Sequence, residues 1–224
     1  MSALFVAFEG PDGCGKSTIA NLIYEKLKDD YQLVRTREPG GSDISEKIRD
    51  LILDNDNYKM SYRTEALLYA ASRAQHVEEK ILPSLKEGKI VLCERFTLSS
   101  LVYQGYARGL GFESIECINE FATEGLKPDI TFLFDTKNLE TVKRKQNEDA
   151  DRLENSSDDF HNRVKKAYKD LIDSGKYTVI DASQDIDHVL EDCLSILYSK
   201  LEGKQWSLLY PLSRMWMLIF LLKK

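Results

Sequence analysis

The sequence predicts an α/β fold, with a five-stranded parallel sheet covered by helices on both faces. Five short apolar runs recur along the chain, and segments with apolar residues at helical spacing separate them. Continuous apolar runs are typical of strands buried on both sides, and alternation with helices is the pattern of a parallel sheet. The predicted strands are residues 4–8, 32–36, 89–93, 130–134 and 177–181.

The bulk composition is that of one globular domain. The chain has 224 residues, of which 42% are hydrophobic and 30% charged, and can bury a sizeable core. Its net charge of -6 argues against a nucleic-acid partner or a firm membrane association, so an anionic ligand needs a local basic pocket. Four scattered cysteines predict neither a zinc site nor a disulfide framework. No signal-peptide pattern precedes the first strand, and we expect a cytoplasmic protein.

The first strand leads into a glycine-rich loop with the spacing G-x-x-x-x-G-K-[ST], and a helix marked by Ile19, Ile23 and Leu27 follows. Between a strand and a helix, this spacing indicates a phosphate-binding loop, or P-loop. Its glycines let successive N–H groups face one anion, and the helix adds its positive end. The lysine reaches the β- and γ-phosphates, and the first hydroxyl is placed to hold Mg²⁺. The loop consists of Gly10, Pro11, Asp12, Gly13, Cys14, Gly15, Lys16, Ser17 and Thr18.

The second strand runs into the sequence Arg37-Glu38-Pro39-Gly40-Gly41. Ligands of open α/β sheets lie at the carboxyl ends of the strands, so Arg37 and Glu38 should face the pocket that Lys16 faces. An ordinary turn with a surface ion pair fits these five residues equally well. The helix that follows, marked by apolar residues from 44 to 52, carries Arg49.

A long helical stretch is predicted from Tyr62 to Leu85. On it, Tyr69 and Arg73 are four residues apart and share a face. A ring and a guanidinium on one face can grip a flat base by stacking and hydrogen bonding. More often, such a pair is one core tyrosine and one surface arginine.

The third strand ends in Glu94 and Arg95. At this position, Glu94 can hold Mg²⁺ through water, and Arg95 can clamp a phosphate with two hydrogen bonds. A structural ion pair is the alternative. In the helical segment that follows, Ser99, Ser100 and Gln104 lie near one face, and the amide of Gln104 offers both a donor and an acceptor to a base edge.

A highly charged stretch, residues 143–152, follows the fourth predicted strand. Such a run is usually a solvated face, but after the fourth strand of a kinase-like fold it is where a closing lid lies. We expect one P-loop kinase domain over residues 1–205, with a lid at about 143–156 and a last helix at 186–201. Residues 206–224 form an apolar tail whose unbroken apolar run is far shorter than the ~20 residues that span a bilayer.

Four stretches make the sequence similar to the thymidylate kinase family, and the similarity covers about residues 3 to 202. Weaker similarity lies in residues 151–154 and 181–184. The four stretches are residues 8–18 (FEGPDGCGKST), 36–41 (TREPGG), 71–76 (ASRAQH) and 94–109 (ERFTLSSLVYQGYARG).

The resemblance implies a nucleoside monophosphate kinase fold, a homodimer, and Mg²⁺-dependent transfer of phosphate from ATP to dTMP, giving dTDP. It implies that residues 10–18 bind ATP, with Arg144 against the adenine, and that Ser17 and Glu94 serve the metal. It places Asp12 near the sugar 3′-hydroxyl and the transferred phosphate. The residues that it implies for dTMP are Arg37, Glu38, Arg49, Tyr69, Arg73, Arg95, Ser99, Ser100 and Gln104.

Several positions depart from the family pattern. Glu94 stands where the family usually has aspartate, and Phe96 where it has tyrosine. Because position 13 is glycine, the P-loop supplies no arginine, as in the bacterial subclass, where the lid supplies the catalytic cation. Arg152 is our first choice for that cation, followed by Arg144 and Lys145. The other catalytic residues that we expect are Lys16, Arg95 and Asp12.

Two alternative functions stay open at this point. The chain could be another nucleoside monophosphate kinase, or a non-catalytic nucleotide-binding protein, since the lid is poor in arginine. A GTP-binding switch is disfavoured because no Asn-Lys-x-Asp motif occurs in the sequence.

Overall fold

The structure is a computed structural model that describes residues 3–136 and 150–221, with side-chain surroundings as far as residue 203. Five strands form one parallel sheet in the order β2-β3-β1-β4-β5. The strands are β1 (Leu4–Glu9), β2 (Leu33–Arg37), β3 (Ile90–Glu94), β4 (Ile130–Asp135) and β5 (Thr178–Asp181). Each overlaps a run chosen from the sequence, so the predicted fold class is confirmed.

Eight α-helices lie in the described part of the chain, and π-helical turns occupy Val77–Ile81 and Leu101–Ala107. The long predicted helix is confirmed as an unbroken helical run, in which α3, the first π-helical turn and α4 succeed one another. The helices are α1 (Lys16–Leu27), α2 (Asp43–Leu53), α3 (Tyr62–His76), α4 (Leu82–Lys86), α5 (Thr97–Ser100), α6 (Phe112–Thr123), α7 (Asp158–Asp173) and α8 (Ile186–Leu221).

Alternate residues of β1 point to opposite faces of the sheet, and each face has its own core. Leu4 and Phe8 pack in a cluster with α1 and α8, whereas Phe5 and Ala7 pack with Val77. A third cluster joins the segment after β3 to α7. Burial on both faces explains why the strands read as continuous apolar runs rather than as alternating ones.

The strand order places the polar ends of three strands at one edge of the sheet. β1 pairs with β3 on one side and β4 on the other, so the chain changes direction across the sheet at β1. In parallel register, Phe8 lies opposite Glu94, and Glu94 lies opposite Arg37. Such a change of direction is where open α/β sheets form a ligand crevice.

The C-terminal helix is longer than the sequence led us to expect. Its predicted end was Leu201, but α8 continues through most of the apolar tail to Leu221. Neither the change in composition near residue 205 nor Gly203 and Pro211 interrupt the helical backbone. Among the described residues, no helix is both long enough and apolar enough to cross a membrane.

Candidate active site

The loop between β1 and α1 holds a buried ammonium group. Gly13 and Gly15 have φ angles of 76° and 90°, which suit glycine, and let the loop turn back on itself. The Nζ of Lys16 donates to the carbonyls of Gly10 (3.0 Å) and Pro11 (2.6 Å), and burial lowers its pKa. The ammonium therefore lies beside the N-terminus of α1, and the two together attract an anion.

Gly10 is required by its surroundings as well as by its backbone. Its φ is 144°, and a Cβ there would lie 3.0 Å from both the carbonyl oxygen of Phe134 and the Sγ of Cys14. The first of these atoms belongs to the backbone of β4 and cannot move aside easily. Any larger residue would push the loop away from the sheet.

A groove of about 410 Å³ runs along this loop and the ends of β2 and β3. Arg37 and Glu38 border it together with Lys16, as the positions of the strand ends led us to expect. The basic pocket that an acidic protein needs for an anionic ligand is therefore present. The groove is lined by Asp12, Gly13, Gly15, Lys16, Ser17, Thr18, Arg37, Glu38, Arg49, Glu94 and Arg95.

Two oxygen donors that suit Mg²⁺ meet at the floor of the groove. The hydroxyl of Ser17 donates to Oε2 of Glu94, whose other oxygen lies 3.4 Å from Nη2 of Arg35. A hydroxyl and a carboxylate are hard oxygen ligands, and Mg²⁺ bound to nucleotides takes its other ligands from phosphate and water. The donor set fits this metal. Across residues 3–136 and 150–203, no group of three or more His, Cys, Asp or Glu side chains forms a metal site by itself.

The guanidinium of Arg95 lies where the groove ends. Its Nη2 is 2.5 Å from Oδ1 of Asp12, its Nη1 donates to the hydroxyl of Ser99 (2.9 Å), and the group lies over the ring of Tyr103. This ion pair holds the pKa of Asp12 well below its ordinary value. The φ of Arg95 is 63°, a left-handed conformation that costs a residue with a side chain about 1–3 kcal/mol.

Glu9 holds the strained turn at Arg95 in place, and sequence reasoning missed it. Its carboxylate, buried at the end of β1, accepts from the backbone N–H of Phe96 (2.7 Å) and of Ser99 (3.2 Å) and from the Ser99 hydroxyl (2.6 Å). Burial raises the pKa of Glu9. The signal was a glutamate at the end of an otherwise apolar run.

A second pocket, of about 200 Å³, adjoins the groove and shares Asp12, Glu38, Arg49 and Arg95 with it. Of the residues that the resemblance implied for the acceptor nucleotide, all but Arg37 border this pocket. Arg37 borders only the groove, where its guanidinium pairs with Glu46 (2.9 Å). The implied residues that line the pocket are Glu38, Arg49, Tyr69, Arg73, Arg95, Ser99, Ser100 and Gln104.

Arg73 is not the surface arginine that the simpler interpretation allowed. It is 2% exposed, and its Nε donates to Oε2 of Glu38 at 2.7 Å. Nη1 donates to Oδ1 of Asn119 (2.6 Å), and Nη2 to the hydroxyl of Ser100 (3.1 Å). His76 lies 3.0 Å from the other oxygen of Glu38. These contacts fix a buried cation at the wall of the pocket, beside the half-buried Tyr69.

A model of the thymidylate kinase family matches residues 8–193 of the chain. The chain belongs to the thymidylate kinase family. It is 56% identical over 197 residues to a thymidylate kinase of Finegoldia magna, covering 87% of this chain and 97% of the relative. It is 48% identical over 204 residues to one of Ligilactobacillus salivarius, covering 88% of this chain and 98% of the relative. A crystal structure of thymidylate kinase from Ehrlichia chaffeensis is 30% identical, with a TM-score of 0.71, and the match covers 88% of this chain and 99% of that one.

Arg152, our first choice for the catalytic cation of this thymidylate kinase family member, lies away from the groove. Its side chain is 9% exposed, and its Nη1 forms an ion pair with Glu65 at 2.8 Å. Its Nε donates to the carbonyl of Ile52 (2.7 Å) and its backbone N–H to that of Leu53 (3.0 Å). Arg152 therefore ties the segment after residue 149 to the end of α2, and its catalytic role stays a prediction.

Other residues of the candidate site were not among the predicted site residues. Asp151, Leu153 and Glu154 border the second pocket from the part of the predicted lid that the structure describes, and His161 borders it from α7. Asp151, Leu153 and Glu154 lie in the stretch of weaker family similarity, which assigned them no role, and no pattern in the sequence indicated His161. Arg144, predicted to lie against the adenine, is outside the described residues.

Proposed function

We propose that this protein transfers the γ-phosphate of ATP to dTMP, giving ADP and dTDP, with Mg²⁺ as the metal. Its membership of the thymidylate kinase family supports the reaction. The observation that carries the proposal is the position of Arg95, which borders both the groove along the P-loop and the second pocket. A phosphate donor in the groove and an acceptor in the pocket would meet at this guanidinium.

The groove is our candidate for the ATP site. The backbone of residues 10–18 would bind the phosphates, with Lys16 as the mobile cation that exchanges the carbonyls of Gly10 and Pro11 for phosphate oxygens. Ser17 and Glu94 would hold Mg²⁺, whose charge draws electron density from the phosphates when it is bound. Arg144 would contact the adenine, as the family resemblance implies.

The second pocket is our candidate for the dTMP site. Arg49 and Arg95, with Arg37 from the groove side, would surround the acceptor phosphate. Tyr69 would stack on the thymine, and Arg73 and Gln104 would form hydrogen bonds with its edge. The remaining residues proposed here are Glu38, Ser99 and Ser100.

Phosphoryl transfer asks the protein mainly for alignment and for positive charge around the transferred group. Lys16 and Arg95 would supply charge on the two sides of that group. Asp12 would orient Arg95 and approach the sugar of the acceptor, since its carboxylate already bonds this guanidinium and the Tyr103 hydroxyl (3.1 Å). A lid arginine, Arg152 or Arg144, would complete the charge.

The assembly and the domain limits are proposals of the same kind. Residues 1–205 would form the kinase domain, with a lid at about 143–156 and the tail at 206–224 outside it. Exposed apolar side chains on α2 and α3, including Ile44, Leu51 and Leu67, support a homodimer that buries these helices. The cytoplasmic location expected from the sequence stays a prediction.

The test is ADP release from ATP and Mg²⁺ with each of dTMP, dUMP, dCMP, AMP and GMP, and with no acceptor. We expect dTMP to give the highest turnover, with dTDP identified by chromatography. A higher turnover with another nucleotide would assign the enzyme a different acceptor. Binding of both ATP and dTMP without any transfer would contradict the proposal and favour a non-catalytic protein.

A further inference from the structure

A buried carboxylate, that of Glu65 on α3, lies behind the second pocket and belongs to neither proposed binding site. Its side chain is fully buried. Oε1 accepts from Nε2 of Gln104 (3.0 Å) and Nε of Arg108 (3.1 Å). Oε2 accepts from Nη2 of Arg108 (3.2 Å) and pairs with Nη1 of Arg152 (2.8 Å). Four donors match the acceptor capacity of one carboxylate.

The position of this carboxylate is well determined, because Arg108 grips it from a rigid setting. The Arg108 guanidinium is 4.0 Å from the ring centroid of Phe160 and 4.8 Å from that of Tyr62. Its Nη2 also donates to the hydroxyl of Ser156 (3.1 Å). Stacking against two rings and a two-point contact with a carboxylate favour one orientation of an arginine.

The contact with Glu65 decides which way the amide of Gln104 points. A carboxylate held between two guanidinium groups only accepts hydrogen bonds, so Gln104 must turn its NH₂ group towards Glu65. Its carbonyl oxygen is then directed to the other side. Gln104 borders the second pocket, and among the described residues no group donates to its Oε1, which is not sealed from the cavity. The Oε1 of Gln104 therefore offers a hydrogen-bond acceptor to a ligand in the second pocket.

We propose that Glu65 is a positioning residue for base selection. By holding the carbonyl oxygen of Gln104 towards the pocket, it favours a pyrimidine with an N–H at ring position 3 over one with a bare nitrogen there. Thymine and uracil carry this N–H, whereas the N3 of cytosine is an acceptor and would face the oxygen unpaired. The inference rests on the proposed function, since it specifies how the acceptor base is selected.

Kinetics of Glu65→Gln with three acceptors test the proposal. A glutamine at 65 can donate to the Oε1 of Gln104, so the amide of Gln104 is free to turn its NH₂ group to the pocket, where it suits cytosine. We expect the ratio of kcat/KM for dTMP to that for dCMP to fall about tenfold or more. The ratio for dTMP to dUMP should not change, because both bases carry the N3–H.

Arg108→Lys is the matched control. It disturbs the same buried cluster, but the lysine keeps a cation beside Glu65 and Arg152 still pairs with it. The contact between Glu65 and Gln104 therefore remains, and the ratio of kcat/KM for dTMP to that for dCMP should equal that of the unmodified protein. An equal fall in both variants would overturn the inference, because the loss would then follow from a loosened core. An unchanged ratio in Glu65→Gln would overturn it as well.

Two further variants keep the test valid if Glu65→Gln does not fold. Glu65→Asp retains the charge between the arginines but draws the carboxylate back from Gln104, and Gln104→Met removes the amide altogether. Both should lose the preference for dTMP over dCMP, and its retention in both would overturn the inference. If the proposed function itself is wrong, the unmodified protein will phosphorylate none of the three nucleotides, and this outcome is distinct from a changed ratio in the variants.

Discussion

The role of Arg152 distinguishes two hypotheses about the segment after residue 149. The resemblance made this residue our first choice for the catalytic cation, whereas the structure places it in a buried ion pair with Glu65 and in a hydrogen bond with the carbonyl of Ile52. In the second account, Arg152 anchors the base of the predicted lid to α2 and α3. We expect Arg152→Ala to reveal the anchoring role as a loss of stability.

The size of this loss follows from the contacts. Removing one partner of a buried ion pair costs about 3–5 kcal/mol when the other charge is left alone. Glu65 keeps Arg108 and Gln104 as partners, so we expect a smaller cost, about 2–3 kcal/mol. For a chain of this length, each kcal/mol lowers the Tm by about 2–4 °C. The Tm of Arg152→Ala should therefore fall by about 4–12 °C.

The assay combines thermal unfolding followed by circular dichroism with dTMP-dependent ADP release well below the transition. We expect kcat to stay within about tenfold of the unmodified protein, since a catalytic arginine contributes about 10³-fold or more. Arg152→Lys, which keeps the charge but not the forked geometry, should recover part of the Tm. A Tm that does not change, with kcat reduced about 10³-fold, would refute the anchoring account and restore Arg152 as the catalytic cation.

Four further predictions concern the groove and the residue that joins it to the second pocket. Arg95→Ala should lose at least about 10²-fold in kcat/KM for dTMP while ATP still binds, measured by turnover and by calorimetry with ATP. Gly10→Ala should lower the Tm and weaken ATP binding about tenfold or more, because its Cβ would meet the backbone of β4. Ser17→Ala should raise the Mg²⁺ concentration needed for half-maximal turnover several-fold without changing the Tm, since the hydroxyl is exposed to the groove. Asp12 has a pKa lowered from 3.8 by Arg95, so its stabilising contribution is complete above that pH and is lost as the pH falls through the lower value. Below about pH 4, the Tm should therefore fall more steeply in the unmodified protein than in Asp12→Asn.

Each of these predictions has a result that would contradict it. Near-normal turnover in Arg95→Ala would remove this residue from the site. A Gly10→Ala variant with normal ATP affinity would show that the loop can shift away from the sheet. Parallel Tm curves for Asp12→Asn and the unmodified protein in acid would mean that the ion pair contributes nothing to stability. An unchanged Mg²⁺ requirement in Ser17→Ala would leave the metal to other ligands.

Local patterns predicted the fold well because the governing interactions are local or repeat along the chain. Burial on both faces makes each strand a continuous apolar run, and the amphipathic spacing of the helices marks the segments between them. The predicted end of α8 at Leu201 was wrong, because the helix continues through Gly203 and Pro211, two residues that usually weaken or end a helix.

The site was predicted in part, and the residues that were missed share a property. Motif residues such as Lys16 and Arg73 lie in short stretches with a family resemblance, and the strand ends bring them to one groove and one pocket. Glu9 and Arg108 also lie in such stretches and Glu65 lies outside them, but none of the three was predicted, since each acts only through partners that are distant in sequence. The contact between Glu65 and Gln104 joins residues 39 positions apart.

By itself, the sequence determined the order of strands and helices, the phosphate-binding loop and the family, because these depend on spacing and on short runs of residue types. Only the tertiary structure decided which charges are paired. The sequence does not distinguish a glutamate on a solvated helix from one in a core. A buried carboxylate needs hydrogen-bond donors, and the fold determines which donors lie next to it. For this reason the sequence singled out Gln104 as a residue for the base edge, while the direction of its amide came from Glu65, on another helix.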